Sequence, residues 1–161
     1  MSLVDAAWRT LFRLVYRPRR ALLRWSKRGR GGALIAIRSD DAVLVVRHAY
    51  RPRLDFPGGG IERGETPEAC ARREAFEEVG VVVPPGALRP LGVIRRDFGG
   101  PDSRNHLFEW RVERLPDVRI DNRELVWAAF LRGHEVPRAD QDLPLRWYLR
   151  RFAPDLARPR P

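Results

Sequence analysis

Residues 57–81 read PGGGIERGETPEACARREAFEEVGV, and this stretch decides both the fold and the chemistry of the chain. Thr66-Pro67 is a helix start, because threonine accepts a backbone N–H as an N-cap and proline is tolerated at the first helical position. No further breaker follows until Gly80, which stands where a left-handed residue ends a helix. The spacing therefore predicts a helix over residues 67–79. On it Glu74, Glu77 and Glu78 fall at i, i+3 and i+4 and share one face. Arg73 lies four residues before Glu77, a position from which it can orient a carboxylate.

Paired glutamates at i and i+4 repel by about 0.2–0.5 kcal/mol even when solvated. A hard, oxygen-seeking cation such as Mg²⁺ removes that penalty and leaves room for water and substrate phosphates. Upstream, Phe56-Pro57-Gly58-Gly59-Gly60 is a loop whose glycines permit close approaches that side chains forbid. Taken without the loop, the helix also reads as a solvated surface helix with Glu68–Arg72 and Arg73–Glu77 pairs.

The full spacing G-x5-E-x7-R-E-A-x-E-E-x-G-V over Gly59–Val81 resembles the signature box of the Nudix hydrolases. That resemblance implies an α/β fold, an α/β/α sandwich around a mixed β-sheet. It implies hydrolysis of a nucleoside diphosphate linked to a further group, with Mg²⁺ as cofactor and Mn²⁺ as a substitute. It assigns the metal to Glu74, Glu77 and Glu78 together with a backbone carbonyl of Gly58 or Gly59, one of the glutamates serving as base. Arg73 and Glu65 support that shell. The family usually has a bulky aliphatic after Arg-Glu, where this chain has Ala75, a change that loosens packing without removing a ligand.

Glu124 begins ELVWAAFLRGHEVP, similar to a late strand and turn of many Nudix chains. An acidic residue there often acts as a further metal ligand or general base; the other reading is an exposed strand-edge carboxylate. Many relatives carry a second acid three positions on, where Trp127 stands here. Marks of several Nudix substrate classes are missing after the box, for Asp97 and Phe98 occupy the places of a proline and a tyrosine. Nucleoside triphosphates, or an unusual nucleotide or phosphorylated compound, remain as expected substrates.

Arg47, Arg51 and Arg53 flank the entry to the glycine loop and are candidates for holding phosphates, against a generic solvated role. Tyr50 is a candidate for stacking on a base, and Phe56 for the core. His48, His106 and His134 show no zinc-ligand spacing and read as ordinary surface or loop histidines. Cys70 is the only cysteine, so no intrachain disulfide is expected, and the setting reads as reducing and cytoplasmic.

The 161 residues carry a net charge of +10, and residues 1–30 hold nine basic groups against Asp5 alone. Trp8, Leu11, Phe12 and Val15 follow helical spacing there, with Arg9, Arg13 and Arg17 on another stripe. Residues 1–32 are therefore expected to be a basic amphipathic helical extension and linker. It packs on its own domain or across a homodimer, or else meets an anionic membrane surface or nucleic acid, which would make the protein peripheral to the membrane. No run approaches a transmembrane span.

Residues 33–152 are expected to form the catalytic domain, and 153–161 a frayed Pro- and Arg-rich tail. Within the domain the pattern predicts a hairpin of 33–37 with 42–47, a loop from 48 to 60, strands at 81–83, 88–97, 106–114 and 124–131, and a helix over 143–152 capped near Asp142. The function expected is Mg²⁺-dependent pyrophosphohydrolysis. A domain that senses a nucleotide without turnover is the alternative, as is association through the arm.

Overall fold

The computed structural model of the chain describes residues 31–95, 104–120 and 124–156. Residues 1–30 of the expected basic extension therefore lie outside the described residues, while Gly32, expected as linker, already belongs to the first strand. Seven strands and two α-helices are found among those described: β1 Gly32–Arg38, β2 Val43–His48, β3 Leu54–Asp55, β4 Gly58–Gly60, α1 Pro67–Val79, β5 Arg89–Arg95, β6 Arg104–Arg111, β7 Leu125–Leu131 and α2 Leu143–Arg151.

β1 is buried along its whole length, and its alternation builds the two-sided core. Ala33, Ile35 and Ile37 point to one face, where they meet Cys70, Ala71, Ala75 and Val79 of α1. Leu34 and Ala36 point to the other, where Leu145, Tyr148 and Leu149 of α2 cover them. A central strand buried on both faces needs a helix on each side, so the sandwich follows from the run GALIAIR. Each such side chain fully withdrawn from water contributes about 1.5–3 kcal/mol.

The strands form one mixed sheet with the path β3-β2-β1-β6-β5, while β4 pairs with β1 and β7 with β2. β1 runs parallel to β6, from Gly32 opposite Asn105 to Arg38 opposite Arg111. The glycine loop is stitched antiparallel onto the start of β1, with Leu34 opposite Gly58 and Ala33 opposite Gly59. This pairing lays the loop alongside α1, which packs on β1 from above.

Several expectations shift. The stretch expected as a loop from 48 to 60 contains β3 and β4, strands too short and too glycine-rich to announce themselves. Val81–Val83 is not a strand: Val81 N–H closes the helix end on Ala75 O at 3.1 Å, and Pro84-Pro85 follow without ladder donors. Val81 and Val83 nonetheless pack into the α1 face, while Val82 is exposed. The packed unit also continues past residue 152, because Ala153 and Leu156 are buried with α2.

Candidate active site

Helix α1 starts and stops as its sequence requires. Thr66 Oγ1 accepts from Ala69 N–H at 3.1 Å, and Gly80, at φ +70°, turns the chain out in the left-handed region. Thr66 contributes about 1 kcal/mol as a cap. With both ends fixed, Glu74, Glu77 and Glu78 are held beside β4.

Arg73 is the hub of the constellation. Its Nη1 donates to Glu74 Oε1 at 2.7 Å and to Glu77 Oε2 at 3.0 Å. Its Nε donates to Glu65 Oε1 at 2.9 Å, and Nη2 reaches Glu65 Oε2 and the Gly60 carbonyl, each at 3.1 Å. Glu65 in turn accepts the Glu62 N–H at 2.8 Å, so one guanidinium ties the loop, the turn and the helix together. The bond from Arg73 holds the Glu65 carboxyl below its usual range, against a smaller contribution of burial. Arg73 is itself held further in its charged form, chiefly by Glu65.

Glu78 is almost fully buried and accepts the Gly58 N–H on Oε2 at 2.9 Å. Its Oε1 lies 3.9 Å from His48 Nδ1. Here the structure corrects the sequence reading, since His48 is a buried strand residue facing α1 rather than a loop histidine. The signal was present: Leu44, Val46 and His48 alternate onto one face of β2, and His48 continues an apolar stripe.

Glu74 lies against Gly59, where a side chain on the glycine would overlap the carboxylate. Burial raises the Glu74 carboxyl above its ordinary value, the Arg73 guanidinium pulls it down, and the charges of Glu77 and Glu124 raise it again. Glu124 is thereby brought into the same electrostatic neighbourhood. Its backbone carbonyl accepts the Ala49 N–H at 2.8 Å, next to the end of β2 that carries His48.

A divalent cation fits this set. The donors are hard oxygens, the absence of a Cβ at position 59 lets the Glu74 carboxylate come up against the loop, and a cation's charge opposes the burial and repulsion acting on Glu74. Among the described residues no three His, Cys, Asp or Glu side chains already close into a cage. Glu77, at 55% side-chain exposure, leans to Arg73, and Glu78 leans to Gly58. Mg²⁺ is commonly bound by one or two carboxylates and completed by water and substrate phosphate.

The arginines expected to hold phosphates are dispersed. Val43 and Val45 of β2 face α2, and Arg47 continues their row, its guanidinium 5.9 Å from the Trp127 ring centre. Arg47 is thus on the far face of the sheet from the carboxylates. Arg51 sits 3.8 Å from Asp142 and 5.4 Å from the Tyr50 ring centre, and Arg53 is exposed. Tyr50 is exposed beside His48, with ring centres 5.2 Å apart, while Phe56 is buried in the core as expected. Cys70 is buried under the loop, and burial pushes its thiol up to about 12.

The model of the NUDIX domain family matches residues 27–156. The 8-oxo-dGTP diphosphatase of Escherichia coli K12 is 44% identical over 62 residues, 38% of this chain and 45% of that protein. Diphosphoinositol polyphosphate phosphohydrolase 3-alpha of Homo sapiens is 37% identical over 78 residues, 48% of this chain and 46% of that protein. The chain thus spans less than half the length of these curated relatives. Among solved structures, a MutT NUDIX hydrolase from Burkholderia pseudomallei superposes with a TM-score of 0.64 at 18% identity, covering 78% of this chain and 98% of that one. An Ap4A hydrolase of C. elegans superposes at 0.60 with 18% identity and the same coverage. At such identities the likeness is one of fold.

Proposed function

For a chain that belongs to the NUDIX family, as this one does, we propose Mg²⁺-dependent pyrophosphohydrolysis of a nucleoside di- or triphosphate derivative. The observation that carries it is the Glu74–Arg73–Glu65 clamp closed over the glycine strand, with Glu78 fixed from behind by Gly58 N–H. The relatives' names mention 8-oxo-dGTP, diphosphoinositol polyphosphates and Ap4A, and the common chemistry is a phosphoanhydride.

Glu74, Glu77 and Glu78, with the Gly59 or Gly58 carbonyl, would hold the ion. When bound, a divalent cation neutralises charge on the phosphate oxygens and polarises the phosphorus. The chain does the rest. Arg73 restrains the rotamers of Glu74 and Glu77 with bonds of 2.7 and 3.0 Å, which limits the reorganisation their carboxylates need. Water oxygen bonds to phosphorus, the bridging P–O bond breaks, and the leaving phosphate takes the electron pair. The water proton passes to a carboxylate, either a glutamate of α1 or Glu124.

Among the arginines, Arg51 and Arg53 keep the phosphate-holding role in this proposal, since Arg47 faces away. The cytoplasmic setting and the contact of residues 1–30 with anionic membrane, nucleic acid or a second copy are likewise proposals. Among the described residues no helix is long and apolar enough to cross a membrane. Deleting residues 1–30 should abolish vesicle or nucleic-acid binding and spare turnover of small nucleotides.

The decisive test is a nucleotide panel assayed for released phosphate or pyrophosphate with Mg²⁺ and with a chelator. Turnover that needs the metal supports the reading. Saturable nucleotide binding with no turnover on any member would overturn it in favour of a sensor.

A further inference from the structure

β2 turns Leu44, Val46 and His48 toward α1, and only the last of them is polar. His48 is 4% exposed, so its imidazole occupies a place that an aliphatic side chain would fill with less loss of hydration. The fold nonetheless builds around it. Arg47 pairs with Trp127 but His48 with Leu125, so β7 spends an extra residue, Val126, opposite that step. The bulge turns the fully buried Leu125 into the α1 face beside His48. Bulges re-aim side chains in this way next to active sites. The Tyr50 ring lies against the imidazole with ring centres 5.2 Å apart, tilted by 38°.

The ring so pinned faces Glu78. His48 Nδ1 lies 3.9 Å from Glu78 Oε1, and both side chains are buried. The other oxygen, Oε2, accepts the Gly58 N–H at 2.9 Å. Glu78 is thus addressed from two sides, by a backbone amide and by an imidazole. Arg73 serves Glu74 and Glu77 instead. A separation of 3.9 Å is longer than a hydrogen bond, and a movement of about 1 Å closes it.

We propose that His48 is a positioning residue for Glu78, its Nδ1 fixing the carboxylate through Oε1 in the orientation that binds the divalent cation. The role rests on the metal-site reading above, with Glu78 as a ligand. Withdrawn from the surface, His48 acts through Glu78 alone. Removing a group that orients a metal ligand from behind typically costs about 10–100-fold in metal affinity or activity.

Two substitutions separate this role from packing. His48→Leu keeps the bulk and extends the apolar stripe but has no donor. His48→Asn gives up bulk and keeps an N–H near the place of Nδ1. Packing alone ranks leucine above asparagine, whereas positioning ranks asparagine above leucine.

The test uses the full chain, with Mg²⁺ titrated by calorimetry without nucleotide, denaturant melts in chelator, and kcat and KM on the best nucleotide of the panel. His48→Leu should bind Mg²⁺ about tenfold more weakly and lower kcat about tenfold, with KM within about twofold, while melting no earlier than wild type. His48→Asn should recover most of both losses although it melts earlier. Should His48→Leu not fold, His48→Ala takes its place, since it differs from His48→Asn in the donor. Wild-type Mg²⁺ affinity and kcat in His48→Leu would overturn the proposal, as would a His48→Asn no better than the variant without a donor. In both cases a wild type that turns over with Mg²⁺ leaves the functional reading standing. A wild type that neither binds Mg²⁺ nor turns over any nucleotide overturns both.

Discussion

Gly59 is pressed against the Glu74 carboxylate, so that any Cβ at position 59 would occupy the space of Oε1. The glycine is there for the neighbour's side chain and not for its own dihedral angles. Gly60, the next residue, has nothing within 4 Å of an added Cβ. Gly59→Ala should therefore displace Glu74 and lower kcat about tenfold or more, whereas Gly60→Ala should stay within about twofold. Steady-state kinetics of the pair checks this, and equal activity in both variants would remove Glu74 from the site.

Glu78 is buried and its Oε2 is held by Gly58 N–H at 2.9 Å. Glu78→Gln retains that acceptor and the volume but loses the charge. Turnover should fall by about 10²-fold with the fold intact, the scale for removing one charge-stabilising group from a reacting centre. Glu77→Gln should behave alike. Metal titration followed by calorimetry should show weaker Mg²⁺ binding in both, a readout separate from rate.

Arg73 bonds Glu65, Glu74, Glu77 and the Gly60 carbonyl with one planar group. Lysine keeps the charge but offers a single point donor. Arg73→Lys should lower kcat more than it raises KM, because the carboxylates lose their orientation. A kcat within twofold of wild type would show that the glutamates are held without it.

The parts of this architecture written in local chemistry were legible in the sequence. Thr66, Pro67 and Gly80 mark the ends of α1 within their own neighbours' reach, and the buried run of β1 announces a layer on each face. What was illegible depends on distant partners. β3 and β4 exist only because β2 and β1 offer them ladders. Val81–Val83 has strand-forming residues but no ladder, since Gly80 has just turned the chain and two prolines follow. The burial of His48 is written in the stripe of Leu44, Val46 and His48, but its approach to Glu78, thirty residues on, needs the helix in place before it can be seen.

One buried network outside the site makes a pH prediction. Glu109 is fully buried, and accepts from Arg89 Nη2 at 2.7 Å on Oε1 and from the Tyr148 hydroxyl at 2.7 Å on Oε2. Burial raises its carboxyl, but the bonds from Arg89 and Tyr148 and the charges of Arg89 and Arg111 outweigh it and hold the net value below the ordinary 4.5. A depressed folded value means that the stabilisation is fully present above 4.5 and is lost as pH falls through the folded value. Glu109→Gln keeps one acceptor oxygen for Arg89 or Tyr148, and its arginine partners are more than half exposed, so the substitution should cost about 1 kcal/mol at neutral pH. Its unfolding free energy should also change less than wild type as pH drops below 4.5, which denaturant melts across that range would reveal.

Glu124 is the acid whose role the fold leaves to chemistry. Its backbone is anchored to Ala49, and its charge is felt by Glu74, 50 residues earlier in the chain, as a push toward protonation. With Trp127 turned to the other face beside Arg47, Glu124 is the acid that β7 and its approach bring to the carboxylates among the described residues. Glu124→Gln should therefore do two things at once. It should depress kcat well beyond any change in KM, as expected for a group acting on the reacting atoms rather than on binding. It should also relieve Glu74 of one repulsion, so that the Glu74 carboxyl titrates lower than in wild type, measurable by NMR of the carboxyl carbons without metal. A lowered Glu74 titration with kcat within about twofold would leave Glu124 as a neighbouring charge and assign the proton to a glutamate of α1. No change in either quantity would place it outside the site altogether.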